Sequence, residues 1–323
     1  MLRLWPAILV VAAGPRLAAQ VLDVNQFETT VYLQTNAAPP AAPNFPNTCF
    51  FGTYMDADPG DDVTNVIVYS PGAGVLPLNQ YSPAYFENST PYYSNITNLN
   101  TDYPGGTYDY NFNYADIFSN FDNADVIFDV STNDLHATSI PAFTPACWTA
   151  MQSVDPAQSF ILNWNAYTLT SGADYAFTFI TISDHSSGLQ VISPSGPPGI
   201  TATNIPAGTL LYGRVYDVSL YFSERQTPPD QGISDAQITV GWDNLTMATL
   251  QTLPLWLQIA PAGTNVLLTW PAAATNYQLQ AAASLSAASA WNVVTNQPVV
   301  SGTMNFLTLP AANPSTFFRL STF

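Results

Sequence analysis

The chain has 323 residues, of which only 8% are charged and 13% are aromatic, with no lysine and a formal net charge of −17. This length allows two or three domains, each able to bury its own core. So acidic a surface repels phosphate backbones and anionic lipid, which argues against nucleic acid and membrane-surface partners, and the lack of lysine removes P-loop and Schiff-base mechanisms.

The first element is an export signal over residues 1–19. Arg3 supplies a positive start, Leu4 to Ala13 an apolar run, and Leu17-Ala18-Ala19 the small residues before Gln20. That run is too short to span a bilayer, so the expected product is secreted or held at the cell surface, without membrane insertion after signal removal. Without Arg3 and Arg16, three arginines stand against 22 acidic residues, a net −19.

Residues 20–138 are predicted to form an N-terminal β-sandwich module. Strands are expected at Val63–Tyr69, Thr107–Tyr114 and Asp125–Val130. In the second of these, Tyr108, Tyr110, Phe112 and Tyr114 alternate with Asp109, Asn111 and Asn113, the period of a half-buried antiparallel strand. Pro104-Gly105-Gly106 is its entry turn. A proline-bearing connector from Ser139 to Cys147 leads into a second module over 139–250. Its apolar faces are Phe160, Leu162, Trp164 and Ala166, and Tyr216, Val218, Leu220 and Phe222. Residues 251–323 contain no acidic residue and a single arginine, and this shift in charge marks a third, small β-sandwich module. At that size it is expected to lean on its neighbour. Cys49 and Cys147 suit either one disulfide or two free thiols.

The chain also echoes itself. Phe160-Ile-Leu-Asn-Trp164 followed by Tyr175 returns as Val266-Leu-Leu-Thr-Trp270 followed by Tyr277, and each copy ends in a small-residue turn before an aromatic strand. One inward tryptophan and one aromatic corner per repeat predict an all-β fold of tandem β-sandwich modules, immunoglobulin or fibronectin type III-like. Tyr216 stands where the tyrosine corner of such domains lies.

The tail motifs Leu268-Thr-Trp-Pro, Tyr277-Gln-Leu-Gln, Trp291 and Phe317-Phe-Arg-Leu320 resemble the C-terminal β-module of large secreted proteins of environmental bacteria such as the Verrucomicrobia. Tyr103-Pro-Gly-Gly-Thr-Tyr108 and Ile205-Pro-Ala-Gly-Thr209 are similar to motifs in the N-terminal parts of such proteins. The resemblance implies export and fibronectin-like folds, and it brings no catalytic residues to carry over.

Two segments are candidates for binding. In Tyr54-Met-Asp56-Ala-Asp58-Pro-Gly60-Asp61-Asp62, alternating carboxylates and a glycine could surround calcium. The early Pro59-Gly60 and the missing distal Glu depart from the calcium-loop pattern and favour a plain solvated turn. Tyr81, Tyr85, Tyr92 and Tyr93 could stack on sugar rings, or cover the sandwich edges. Trp164 and Trp270 belong to inward faces and are expected in the cores.

No catalytic residues are assigned. Ser183-Asp184-His185-Ser186 holds triad residue types side by side, a spacing that cannot aim them at one another, and no nucleophile elbow or metalloprotease helix occurs. A glycoside hydrolase needs only two carboxylates, but Glu occurs only at 28, 87 and 224. The expected function is therefore non-catalytic: an exported protein for adhesion or binding to an extracellular glycan or protein. A carbohydrate-binding module steadied by calcium is the alternative, and a surface-layer structural role the third.

Overall fold

The computed structural model describes residues 21–44, 48–58, 63–72, 74–89, 92–115, 121–232, 236–285, 290–311 and 316–322. The export signal, and Asp61 and Asp62, lie outside the described residues. The fold is all-β, as tandem sandwiches: strands dominate and the two α-helices are one or two turns long.

The first part holds β1 (Val21–Leu33), β2 (Cys49–Ala57), β3 (Thr64–Tyr69), β4 (Val75–Pro77) and β5 (Asn79–Ser82). Then follow β6 (Tyr85–Asn88), β7 (Tyr92–Tyr93), α1 (Ile96–Asp102), β8 (Gly106–Ala115) and β9 (Phe121–Val130). A four-stranded sheet ordered β4-β3-β8-β9 packs on a second sheet containing β1-β2-β6-β5. The period-two pattern of β8 works as expected, since Tyr108, Tyr110, Phe112 and Tyr114 are all buried. Tyr108 lies parallel to Phe51 of the facing sheet, and the Tyr110 hydroxyl meets that of Thr53 at 2.6 Å. Each ring thus buries its apolar body and keeps its polar tip paired. At the entry turn, any side chain on Gly105 would collide with the backbone at Ser131.

The second part holds α2 (Pro145–Ala150), β10 (Phe160–Asn163), β11 (Tyr175–Asp184), β12 (Gln190–Ile192) and β13 (Ser195–Gly196). It continues with β14 (Ala202–Ile205), β15 (Val215–Gln226) and β16 (Gln237–Gln251). The pair β10-β14 covers β11, β15 and β16 around Leu162, Trp164, Ile182, Tyr216, Leu220 and Phe222. Trp164 donates from its indole N–H to the Ile200 carbonyl at 3.0 Å. The Tyr216 hydroxyl accepts the Leu211 N–H at 2.8 Å, the back-bond of a tyrosine corner.

These two sandwiches share a wall. Strand β1 runs parallel to β16, from Asp23 opposite Gln237 to Leu33 opposite Met247. The result is one ten-stranded sheet ordered β12-β11-β15-β16-β1-β2-β6-β5, with β13 and β7 on its flanks. The segment read from sequence as a linker is inlaid on the inner face of that sheet. Asn244 donates to the Ala137 carbonyl at 2.7 Å and Thr246 to that of Pro141 at 2.6 Å. Gln34 clasps both backbone groups of Phe143, accepting at 2.8 Å and donating at 2.9 Å.

The third part holds β17 (Gln258–Ala262), β18 (Asn265–Pro271), β19 (Tyr277–Ala282) and β20 (Asn292–Val293). It ends with β21 (Val299–Ser301), β22 (Met304–Pro310) and β23 (Phe317–Thr322). Its two sheets, β17-β18-β22-β21 and β20-β19-β23, enclose Leu268, Trp270, Leu279 and Leu307. Tyr212 of the second part completes this core, and its carbonyl accepts the Tyr277 hydroxyl at 3.2 Å. A small sandwich thus borrows a ring from its neighbour.

Arg319 bonds Gln280 at 2.9 Å while its guanidinium lies 4.3 Å from the Trp291 ring centre. Arg319→Ala should therefore cost about 1 kcal/mol, read as a lower urea midpoint; no change would mean the stacking is energetically idle. Cys49 and Cys147 are free thiols, buried in the first and second cores respectively.

Candidate functional site

The inner face of the ten-stranded sheet is core, so whatever its outer face carries is set by the other half of the strand alternation. On β11 those outward residues are Tyr175, Phe177 and Phe179, and on β15 they are Tyr221, Ser223 and Arg225. The middle strands contribute Gly241 and Asp243 from β16, and Asn25, Phe27 and Thr29 from β1. Phe50, Gly52 and Tyr54 follow on β2.

Register turns these into rows that cross the sheet. One row reads Tyr175, Arg225, Gly241, Phe27, Gly52, and the next reads Phe177, Ser223, Asp243, Thr29, Phe50, Tyr92. The two glycines explain the relief. A methyl group at Gly52 would collide with the Phe27 ring, and one at Gly241 would come within 2.5 Å of the Arg225 guanidinium. Without side chains there, a ring and a guanidinium both lie flat on the backbone of their neighbours.

Between these groups is an open cleft of about 310 Å³. Phe27, Phe50 and Tyr54 form one wall, Phe179 and Tyr221 the other. Phe179 and Tyr221 stack at 4.0 Å between ring centres, and Phe27 meets Phe50 edge-on at 6.2 Å. The floor is an ion pair in which Arg225 Nη1 donates to Asp243 Oδ1 at 2.7 Å and to the Glu224 carbonyl at 2.9 Å. Arg225 also lies over Phe177, 4.9 Å from its ring centre. Burial pushes the Tyr221 phenol up to about 12, with Asp243 adding to the rise, so the hydroxyl stays protonated and able to donate at physiological pH.

Three of the four sequence-predicted tyrosines join this face. Tyr85 lies 5.7 Å from Tyr54 and 6.3 Å from the exposed Tyr81, and Tyr92 lies 5.8 Å from Phe50. The Tyr85 hydroxyl donates to Glu87 at 2.8 Å. Tyr93 does not join them. As the next residue on its strand it faces inward, donates to Asp102 at 2.7 Å and packs edge-on against Tyr103.

Of the acidic loop, Asp56 is on the outer face of β2 directly opposite Asp23 of β1, and Asp58 follows the end of the strand. Burial raises the Asp56 carboxyl above its ordinary value, and the Asp23 charge adds to it. No group of three or more His, Cys, Asp or Glu side chains able to hold a metal occurs among the described residues.

A second, smaller cavity of about 100 Å³ opens between α1, the Gly105 turn and the loop at 131–134, with Glu28 and Trp242 lining it. Burial pushes the Glu28 carboxyl up to about 7, opposed by His136 and reinforced by Asp134. His136 Nδ1 is 2.6 Å from Asp134 Oδ1. The three glutamates do not form a glycosidase pair. Glu28 and Glu224 flank Trp242 on the inner face, but Glu224 is fully enclosed, and Glu87 is on another strand bonded to Tyr85. In the Ser183–Ser186 turn, Asp184 accepts from Ser186 and Ser187 while His185 turns to Asp217 at 2.9 Å, so no triad forms.

The cleft escaped sequence reading because its residues come from five separate strands. The signal within reach was Tyr175-Ala-Phe-Thr-Phe179, a period-two aromatic run opposite in phase to the buried Ile180 and Ile182. Gly52 and Gly241 carry no motif at all.

No family model and no curated protein matches the chain. Among solved structures, it is similar to a tetra-tandem repeat in the extending region of a large adhesion protein, at 12% identity and a TM-score of 0.25. That match covers 93% of this chain, which spans 66% of the other. The FN1–FN3 domains of chicken CNTN1 match at 8% identity and a TM-score of 0.20, covering 95% and 94%. The central fibronectin-III array of RIM-binding protein matches at 10% and 0.18, covering 91% and 94%. At such scores the description of the fold rests on the chain's own sheets.

Proposed function

We propose that this is an exported, non-catalytic protein that adheres to or binds an extracellular glycan or protein through the outer face of its ten-stranded sheet. The supporting observation is the pair of rows in which Gly52 and Gly241 leave Phe27 and Arg225 lying flat and only partly covered. A sheet that only closed two cores would place short polar residues on that face; here it bears two groups of contacting rings, Tyr175, Phe177, Phe179 and Tyr221 on one side of the cleft and Phe27, Phe50 and Tyr92 on the other. Calcium at Asp56, Asp58, Asp61 and Asp62 remains part of the carbohydrate-binding version of this reading. A cation there would relieve the facing carboxylates of Asp23 and Asp56.

The test is retention of the purified full chain on insoluble cellulose, chitin and xylan and on collagen-coated beads, with calcium and with EDTA. Retention on at least one surface, with no soluble sugar released, is expected. Release of reducing sugar that a single Asp→Asn change abolishes would make the protein a hydrolase. Absence of retention on every surface would remove the binding reading. Equal retention in calcium and EDTA would remove the calcium component alone.

A further inference from the structure

We infer that the cleft lined by Phe27, Phe50, Tyr54, Phe179 and Tyr221, with Arg225 and Asp243 as its floor, is a binding site for a neutral sugar ring. This rests on the outer sheet face being the binding surface, and it adds the ligand class and the place on that face.

Each ligand class would leave different groups of the cleft unsatisfied. Arg225 uses only Nη1 toward protein groups, so its Nε and Nη2 donors have no partner among the described residues, and neither has Asp243 Oδ2. Thr29 and Thr239 bring hydroxyls to the same cleft. An aliphatic chain or lipid would cover the rings but strand these polar groups away from water, which is costly. An anion gains nothing net from Arg225, whose charge Asp243 already cancels at 2.7 Å, and it would face the surrounding Asp23, Asp56 and Glu87. A cation finds Asp243 taken. A pyranose ring carries C–H groups on its faces and hydroxyls on its rim. The faces suit the electron-rich surfaces of Phe27 and Tyr221, and the rim suits a fixed donor–acceptor pair that needs no reorganisation. The volume, about 310 Å³, is at the lower limit of small-molecule sites.

The cleft is preformed, because Gly241 and Gly52 let its floor and one wall seat against backbone on rigid strands. This also separates it from the exposed Tyr81 at the edge of the sheet. Tyr81 is 69% exposed and lies beyond the cleft, so it would at most extend the contact along a longer chain.

The experiment is affinity electrophoresis of the full chain through gels containing soluble β-glucan, galactomannan or α-glucan, with anionic alginate as control. Retardation by at least one neutral polysaccharide is expected, weakened roughly tenfold or more in Tyr221→Ala and in Phe27→Ala. Val299→Ala, an exposed residue on β21 of the third sandwich, should retain it within about threefold, and melting curves should show that all variants fold. Retardation unchanged in both cleft variants would overturn the site while leaving the outer-face reading intact. Retardation by alginate alone, or by no polysaccharide, would overturn the sugar assignment. If collagen retention then survives and is lost in Tyr221→Ala, the face still binds, but a protein. If retention on every surface fails as well, the parent reading falls with it.

Discussion

Replacing Glu28 by Gln should stabilise the protein by about 3 kcal/mol at pH 8 and change little at pH 5. Glu28 is 6% exposed and stands between Phe51 and Trp242 on neighbouring strands, with no hydrogen-bond partner among the described residues. Its carboxyl is pushed up from 4.5 to about 7 by burial. A carboxyl with a raised folded-state value binds protons more tightly folded than unfolded, so it costs stability as pH rises from about 4.5 and the full penalty is present above about 7. Gln has the shape of the protonated acid and cannot ionise, so it removes the penalty only where the penalty exists. His136 acts in the same direction. Its value is raised, opposed by its own burial and driven by Asp134, Glu28 and Asp243, so its stabilisation is complete below 6.5 and lost as pH rises through the folded value. Asp134 acts oppositely, because its depressed value gives stability above 3.8 that is lost as pH falls. Urea midpoints measured from pH 5 to 8 decide the matter. Wild type should lose stability across that range and Glu28→Gln should lose less; two parallel curves would show that Glu28 titrates like an exposed acid.

Gln34→Leu should destabilise the chain by about 3 kcal/mol and loosen the two large sandwiches together. The Gln34 amide bonds both the N–H and the carbonyl of Phe143, whose ring is buried in the second core. Phe143 pairs with Trp164 through its neighbours' hydrogen bonds, Thr144 to Asn163 and Asn165 to Ala142, so its own two backbone groups rely on Gln34. Leucine fills similar volume but orphans a buried donor and a buried acceptor, each worth about 1–3 kcal/mol. Because Gln34 follows β1 and Phe143 precedes α2, the loss falls on the junction itself. Unfolding followed by chemical denaturation should show a lower midpoint for the transition of the shared sheet. A change below about 0.5 kcal/mol would mean that Asn244 and Thr246 hold the connector without help.

Much of the architecture was legible in local sequence because it depends on side-chain period alone. The alternation of Tyr108 to Tyr114 identified a strand and its buried face, and the repeated tryptophans, Trp164 and Trp270, identified one core each. Tyr216, after its glycine-containing turn, was legible as a corner because that turn brings the Leu211 N–H within reach of the hydroxyl five residues on. The absence of acidic residues from 251–323 was legible for a similar reason, since composition needs no knowledge of pairing.

What only the tertiary structure decided is which strands neighbour one another. No pattern within Val21–Leu33 or Gln237–Gln251 announces that they pair in parallel across more than two hundred residues, since β pairing is non-local and both strands satisfy their alternation with any apolar partner. That one pairing fuses two sandwiches into a single wall and inlays the segment that reads as a linker. It also assembles the cleft, setting the Phe27, Phe50 and Tyr54 wall carried by β1 and β2 against the Arg225–Asp243 floor and the Phe179–Tyr221 wall carried by β11, β15 and β16. Tyr81, Tyr85 and Tyr92 were visible as an aromatic cluster, but Tyr93 could be separated from them only by the inward turn of its strand. The residue types were present in the sequence; their convergence depends on the register of strands brought together by folding.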